Sequence, residues 1–460
     1  MAWSCGHDSA NRTDVSIPRV NRHGGVYTVH MSTPIKAVEI LPGRAAGSVR
    51  APASKSYANR ALLLAALAEG ESVIHNPLQS DDTEAMTGAL RDLGVDVRTA
   101  DDAWIVRSSG RFNTPSEGIN CRDSGTTLRF LTAASALFDE PITLTGSEQL
   151  RRRPIQPLLD TLEELGVFAG TDDGYPPVVV CGPLRPGPAR VESSASSQYA
   201  SALMMALGAT GCPDAAVFAD GLVSVPYALM TLQSMTTCGV KWKQADDEPN
   251  LFYPDPGGCY RATESTVEFD ASSAGHLFSV IALSGGDACV LGAHRDTAQP
   301  DIRLLELLEN GGSEARETAF GVTLKGRPFA APGEVDMNDW PDMLSAVAVV
   351  AAFAEGETVI RNAAHTRGHE TDRIAATVRE LNKMGVSAVE TDDGLRIIGG
   401  QPHGAIIETY GDHRMAMAFA AAGCAVPGVV ITDPDCVRKT YPDFWNDLKR
   451  LGIEWREVAI

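Results

Sequence analysis

The sequence predicts an α/β protein of six βαβαββ units shared between two domains, three units in each. Three observations lead there. The 460-residue chain exceeds the length at which one hydrophobic core stops growing. An amphipathic helix that ends in glycine and then an apolar residue returns at nearly constant spacing. A longer marker recurs at four times that spacing.

The helix ends are Leu93-Gly94-Val95, Leu165-Gly166-Val167, Cys238-Gly239-Val240, Asn310-Gly311, Met384-Gly385-Val386 and Leu451-Gly452-Ile453, with glycines 72, 73, 72, 74 and 67 residues apart. The longer marker, Ala68-Glu69-Gly70-Glu71-Ser72-Val73-Ile74-His75-Asn76, comes back 286 residues later as Ala354-Glu355-Gly356-Glu357-Thr358-Val359-Ile360-Arg361-Asn362. Each unit reads as an Ala/Leu-rich helix, a glycine turn, a β-branched strand such as Ser72-Val73-Ile74, a second helix closed by the marker glycine, and then a strand or a pair. Units this long and mixed do not suit a solenoid or propeller. The domain boundary is expected near Val267 to Asp270, just after the irregular Pro254-Asp255-Pro256-Gly257-Gly258.

Residues 1 to 30 are polar, carry Arg12, Arg19 and Arg22, and lack the apolar stretch of a secretory signal. Residues 1–32 are therefore expected to be a flexible extension. Their low acid content also suits an organelle-targeting segment, and Met31 is an alternative start. The apolar runs Ala61 to Ala68 and Ala346 to Ala354 are far shorter than the ~20 residues of a membrane span.

With 39 basic and 59 acidic side chains the formal charge is −20, which disfavours nucleic acid and anionic membranes as partners. An anionic substrate must then meet a local cluster of cations. Nine scattered cysteines with no Cys-x-x-Cys pair fit reduced thiols in a cytoplasmic protein, and no His/Cys/Asp cluster has ligand spacing, so no metal is assigned.

The candidate chemistry sits at helix starts. Ser54-Lys55-Ser56-Tyr57-Ala58-Asn59-Arg60 opens an Ala/Leu helix, where free N–H groups, the helix dipole and flanking cations attract anions; a plain N-cap with solvated charges is the alternative. Asp123-Ser124-Gly125-Thr126-Thr127-Leu128-Arg129 puts glycine and hydroxyls before an apolar helix. Arg151-Arg152-Arg153-Pro154 puts three cations before a proline suited to a first turn, although Arg151 and Arg152 also read as a solvated face. Ser196-Ser197-Gln198 precedes a further helix, as do Trp340-Pro341-Asp342 and Gly368-His369-Glu370-Thr371-Asp372-Arg373. Tyr410-Gly411-Asp412-His413-Arg414 and Arg438-Lys439-Thr440 follow. Taken singly, Asp342 and Glu370 read as helix caps and His413 as a satisfied core histidine. Together these segments supply carboxylates for proton transfer and cations for a small acid.

Seven of these stretches, in order, resemble the EPSP synthase family of enolpyruvyl transferases: Ser54 to Arg60, Gly125 to Arg129, Arg153 to Ile155, Ser196 to Gln198, Glu370 to Arg373, Asp412 to Met417 and Lys439 to Asp443. The resemblance spans about Ile40 to Asp447. It implies an inside-out α/β barrel of two domains that close on a cleft. One would be residues 33–52 plus 270–460, the other 53–269.

Carried over by position, the resemblance implies that Lys55, Ser56, Arg60, Ser196, Ser197, Gln198, Ser224, Tyr227, Asp342, His365 and His369 meet 3-phosphoshikimate. Lys55, Gly125, Arg153, Gln198, Arg373, Arg414 and Lys439 would meet phosphoenolpyruvate. Asp342 would be the base for the acceptor hydroxyl, Glu370 the acid for the enol methylene, and Lys55 a further catalytic cation. The implied reaction is an addition and elimination that needs no cofactor, a step toward the aromatic amino acids, performed by a monomer. The chain departs from the family pattern at His369, where lysine is usual, and at His365 and Asp123, where asparagine is usual. Phe130 stands where proline often follows. The two histidines would make the charge beside the acceptor depend on pH.

Two other readings compete. A sister family transfers enolpyruvate to a UDP-linked amino sugar and carries a cysteine in the loop before its Arg-Pro, whereas Gly146 to Arg152 has none. A noncatalytic anion-binding protein on the same fold is disfavoured by the joint presence of Lys55, Asp342, Glu370, Arg373, Arg414 and Lys439. Gly125 also implies room for glyphosate beside the phosphoenolpyruvate site.

Overall fold

In the computed structural model the described residues are 14–20, 26–32, 36–255 and 258–460, the first two stretches as backbone only. The flexible extension expected over residues 1–32 falls mostly outside them. Within it, Asp14–Val20 pairs antiparallel with Val26–Ser32.

Among the described residues six four-stranded sheets share one order, an outer strand, a parallel neighbour and two antiparallel strands, and in three of them one helix leads to the parallel neighbour and a second to an antiparallel hairpin. In one unit Gly333–Asp336 leads through the helix Leu344–Ala352 to the parallel strand Gly356–Arg361. The helix Arg373–Lys383 then leads to Ser387–Thr391 and Gly394–Gly399, and the latter pairs antiparallel with Gly356–Arg361.

Three sheets are closed by strands distant in sequence. Lys36–Ile40 lies between Val429–Thr432 and Trp455–Ala459. Ala46–Arg50 runs parallel to Asp287–Leu291. Glu264–Thr266 runs parallel to Glu69–His75. The chain therefore crosses between two bodies near residues 50–55 and again near 267–270. The crossings are tied to each other by Ser54 N–H to Glu268 O at 2.8 Å and Asp270 N–H to Pro52 O at 2.7 Å.

Buried apolar side chains form two clusters, one from Ala53 to Val267, the other from Val38 to Ala51 and Phe269 to Ile453. Each is built on three inner helices: Lys55–Leu67, Gly125–Ser135 and Gln198–Thr210 in one, Ala271–Leu283, Leu344–Ala352 and His413–Ala425 in the other. Every residue of Gly125–Ser135 is buried, its polar side chains included. With helices inside and sheets outside, the molecule is a two-body inside-out α/β barrel of six βαβαββ units.

The glycine period has a backbone cause. At Gly94, with φ +85°, the N–H bonds Arg91 O and the next N–H, from Val95, bonds Leu90 O, which closes the outer helix in a left-handed turn that a side chain disfavours. The same bonds recur at the other repeats. In the fourth unit the left-handed residue is Gly312 and not the expected Gly311, which still has right-handed helical φ and ψ. The longer marker ends in Asn76 and Asn362, left-handed at φ 50° and 56°, a conformation asparagine tolerates.

Candidate active site

The inner helices start at the seam between the bodies, and local capping fixes their first turns. Ser54 accepts the N–H of Tyr57, Ser124 that of Thr127, Asp270 that of Ser273 and Asp412 that of Arg414. Residues just after these caps, Lys55, Gly125 and Arg414 among them, are thereby brought to the seam.

A cleft open to solvent is lined by Lys55, Ser56, Arg60, Ser196, Ser197, Gln198, Ser224, Tyr227, Asp342, His365 and His369, together with Thr126 and Phe130. All eleven residues expected to meet the acceptor therefore share one cavity. Ser224 is held there at φ +55°, uncommon for a residue with a side chain, with its N–H bonded to Asn338 O of the other body at 3.0 Å. Arg60 faces inward: its guanidinium bonds Thr231 Oγ1 at 2.8 Å, Ser56 O at 2.9 Å and Tyr227 O at 2.9 Å. Burial pushes it down to about 10, and it braces the wall of the cleft that it helps to line.

Beside this cleft lies a dense group of ions. Arg373 bonds Asp342 Oδ1, Glu370 Oε2 and Asp412 Oδ2, each at 2.8 Å. Arg414 Nη2 bonds Asp342 Oδ2 at 2.6 Å. Lys439 Nζ reaches Asp82 Oδ1 at 3.2 Å, Asp123 O at 2.7 Å and Glu370 Oε1 at 3.8 Å. Arg153 Nη1 reaches the same Glu370 oxygen at 3.8 Å, and Lys55 reaches Asp82 at 3.3 Å. Arg153, Lys55, Asp82 and Asp123 belong to one body, and the rest to the other, so the group closes the seam.

Burial pushes the carboxyl of Asp342 up, but Arg414 and Arg373 overrule it and hold it well below the usual carboxylate range. Glu370 behaves alike: burial is outweighed by Arg373, Arg153 and Lys439. Both are carboxylates near neutrality. Burial alone would lower the Lys439 ammonium, while Asp82 and Glu370 raise it and keep it charged. Arg414 Nε and Nη1, and Arg153 Nε, are buried donors without an acceptor, an arrangement that an incoming anion would complete. A Cβ on Gly125 would lie 2.7 Å from Arg153 Nη1, so glycine keeps that guanidinium in place.

Several expectations need correction. Asp342 lies within the short 3₁₀ turn Pro341–Met343, and the cap of the helix after Glu370 is Asp372, so both carboxylates are free for ion pairs. His413 is buried as a core histidine, but neither ring nitrogen has a hydrogen-bond partner among the described residues. Arg151 and Arg152 are exposed, with Arg152 paired to Glu148, and the helix begins at Gln156. The two histidines are not switches near neutrality: burial pushes His365 down to about 4, and burial and then Arg373 hold His369 well below the ordinary range.

Sequence reasoning passed over Asp82, which reads as an ordinary acid in a helix's first turn, and Asp301 behind Tyr227, and it gave no role to Arg129, whose Nη1 holds Gln198 Oε1 at 2.8 Å. Only the Asp81-Asp82 pair beside a capping serine could have hinted at the first.

Residues 41–448 match the family model of EPSP synthase (3-phosphoshikimate 1-carboxyvinyltransferase). The 3-phosphoshikimate 1-carboxyvinyltransferase of Methanothermobacter thermautotrophicus is 38% identical over 413 residues, 89% of this chain and 97% of that protein. That of Syntrophobacter fumaroxidans is 39% identical over 422 residues, 90% of this chain and 99% of that protein. Among solved structures, EPSP synthase from Acinetobacter baumannii superposes with a TM-score of 0.76 at 24% identity, covering 92% of this chain and 100% of that one. The enolpyruvyl transferase NikO from Streptomyces tendae gives 0.77 at 20% identity, with coverage of 93% and 100%.

Proposed function

The chain belongs to the EPSP synthase family, and on that footing we propose that it transfers the enolpyruvyl group of phosphoenolpyruvate to the 5-hydroxyl of 3-phosphoshikimate, releasing phosphate. The observation that carries this reading is Arg373 bridging Asp342 and Glu370 at 2.8 Å each, two carboxylates and a cation beside the cleft. We take the domains to be 33–52 plus 270–460 and 53–269, a division supported by two cores that part between Val267 and Phe269.

Phosphoenolpyruvate brings a carboxylate and a phosphate, and Arg153, Arg373, Arg414 and Lys439 receive them, since guanidinium forks match both groups. Those same cations hold Glu370 and Asp342 ionised. A bound anion shares them, raises both carboxyls, and so lets Glu370 carry the proton it must donate. The substrate's own charge primes the acid.

Glu370 then gives its proton to the methylene carbon, and the neighbouring carbon becomes electrophilic. The acceptor hydroxyl attacks there as Asp342 takes its proton. Lys55 and the arginines stabilise the negative charge on the tetrahedral intermediate. Elimination returns a proton from the new methyl group and expels phosphate, which restores the double bond. Ser56, Ser196, Ser197, Gln198, Ser224, Tyr227, His365 and His369 hold the acceptor, with Arg60 bracing them. Gly125 keeps Arg153 close.

No described helix is long and apolar enough to cross a membrane. We place the protein in the cytoplasm, a reading that suits the unpaired cysteines at every described position, and take it to be a monomer. The test is phosphate release from phosphoenolpyruvate with 3-phosphoshikimate beside a UDP-N-acetylglucosamine control. Release only with 3-phosphoshikimate is expected. Release only with the sugar nucleotide contradicts the reading, and tight ligand binding without release favours a noncatalytic protein.

A further inference from the structure

Asp301 has no place in the steps above, yet its carboxylate is 1% exposed and engaged across the seam. Its Oδ2 accepts the hydroxyl of Tyr227 at 3.0 Å and that of Ser272, while Oδ1 has no hydrogen-bond partner among the described residues. Asp301 lies in the short turn Pro300–Ile302, and Ser272 on the inner helix Ala271–Leu283 of the same body. Tyr227 lies in the first turn of Val225–Thr237, in the other body. Tyr227 lines the cleft and Asp301 does not.

Tyr227 is therefore held at both ends by different bodies, its backbone by one and its phenol by the other. Its backbone carbonyl accepts Arg60 Nη2 at 2.9 Å, within its own body. Its hydroxyl reaches Asp301 in the other. One turn earlier, Ser224 crosses the same seam to Asn338 O at 3.0 Å. A buried carboxylate with an oxygen left unpaired is unfavourable, and burial followed by the Asp342 charge raises its pKa to about 7.

We propose that Asp301 is the positioning residue that orients Tyr227 against the acceptor and ties acceptor binding to closure of the two bodies. This rests on the reading of Tyr227 as part of the acceptor wall. In an open molecule Asp301 is hydrated and Tyr227 turns freely; on closure the phenol O–H replaces water on Oδ2 and the ring is fixed. Because coupling is reciprocal, an acceptor seated on the ring favours the closed state, and removal of the bond weakens the acceptor's hold without touching it. The phosphoenolpyruvate side of the seam closes on other residues, Lys439 with Asp82 and Arg153 with Glu370.

The test compares the full-length wild type with Tyr227→Phe, Asp301→Ala, their double variant and Asp301→Asn in steady-state assays, with each substrate varied in turn. Each of the first two is expected to raise the KM for 3-phosphoshikimate about tenfold, roughly 1.4 kcal/mol, with the KM for phosphoenolpyruvate changed less than about threefold. The double variant should be no worse than either single one. Asp301→Asn should stay near wild type, because its amide carbonyl still accepts the phenol. Multiplying effects in the double variant, equal rises for both substrates, or Asp301→Asn as impaired as Asp301→Ala would overturn the proposal. Should Asp301→Ala fail to fold, an unchanged acceptor KM in Tyr227→Phe overturns it alone. A wild type inert toward 3-phosphoshikimate defeats the functional reading instead, and the wild-type arm by itself reveals that.

Discussion

Glu370 and Arg373, three residues apart across the cap Asp372, meet at 2.8 Å, so the cation that opens the helix Arg373–Lys383 is also the main partner holding the proposed acid ionised. The pairing fixes what loss of the carboxyl should do. Glu370→Gln keeps the shape and removes the proton donor; kcat should fall on the order of 10²- to 10⁴-fold. Phosphoenolpyruvate affinity, measured by calorimetry, should hold or tighten, because Arg373 and Lys439 lose a competitor. A kcat within about threefold of wild type would remove Glu370 from the chemistry.

Gly125 and Arg153 give a steric prediction. A methyl group at Gly125 lies 2.7 Å from Arg153 Nη1 and 3.0 Å from its Cζ, closer than packed atoms tolerate. Gly125→Ala should push the guanidinium aside, raise the KM for phosphoenolpyruvate severalfold, and weaken competitive inhibition by glyphosate about tenfold or more. Equal inhibition of both proteins contradicts the crowding.

Neighbouring arginines should behave oppositely. Arg152 is exposed and paired with Glu148, whereas Arg153 is turned inward beside Glu370. Arg152→Ala should change stability by less than about 0.5 kcal/mol and leave kinetics alone. Arg153→Ala should raise the KM for phosphoenolpyruvate about 30-fold or more. Denaturation curves and initial rates on the pair settle the contrast.

His365 sets a pH dependence with a definite sign. Its folded pKa of about 4 lies below the unfolded value of about 6.5, so the unfolded chain binds the proton more readily. The stability this ring contributes is complete above about pH 6.5 and is lost as pH falls toward 4. His365→Asn removes it, and melting temperatures measured from pH 7 to pH 4.5 should fall less steeply than in wild type. Parallel curves would contradict a neutral buried ring.

The repeat was legible because one backbone requirement, a left-handed residue after an outer helix, forces glycine wherever it occurs; Gly311 misled only because Gly312 stands beside it. Lys55, Gly125 and Arg414 could be read from helix starts, since capping places them there. Asp82 and Asp301 could not. Each sits beside a cap or a short turn where an acid has an ordinary local reason, and its partners, Lys439 and Tyr227, lie 357 and 74 residues away. The neutrality of His365 and His369 was equally hidden, since burial depends on what the second body brings to the seam.

The central claim is that the carboxylate pair beside Arg373 performs proton transfer on phosphoenolpyruvate and 3-phosphoshikimate. The direct measurement is single-turnover phosphate release by Asp342→Ala beside wild type, with both substrates saturating and with 3-phosphoshikimate omitted. Wild-type release should require 3-phosphoshikimate, and the variant should be slower by about 10²-fold or more while still binding both ligands. Release that ignores 3-phosphoshikimate, or a variant as fast as wild type, would contradict the account.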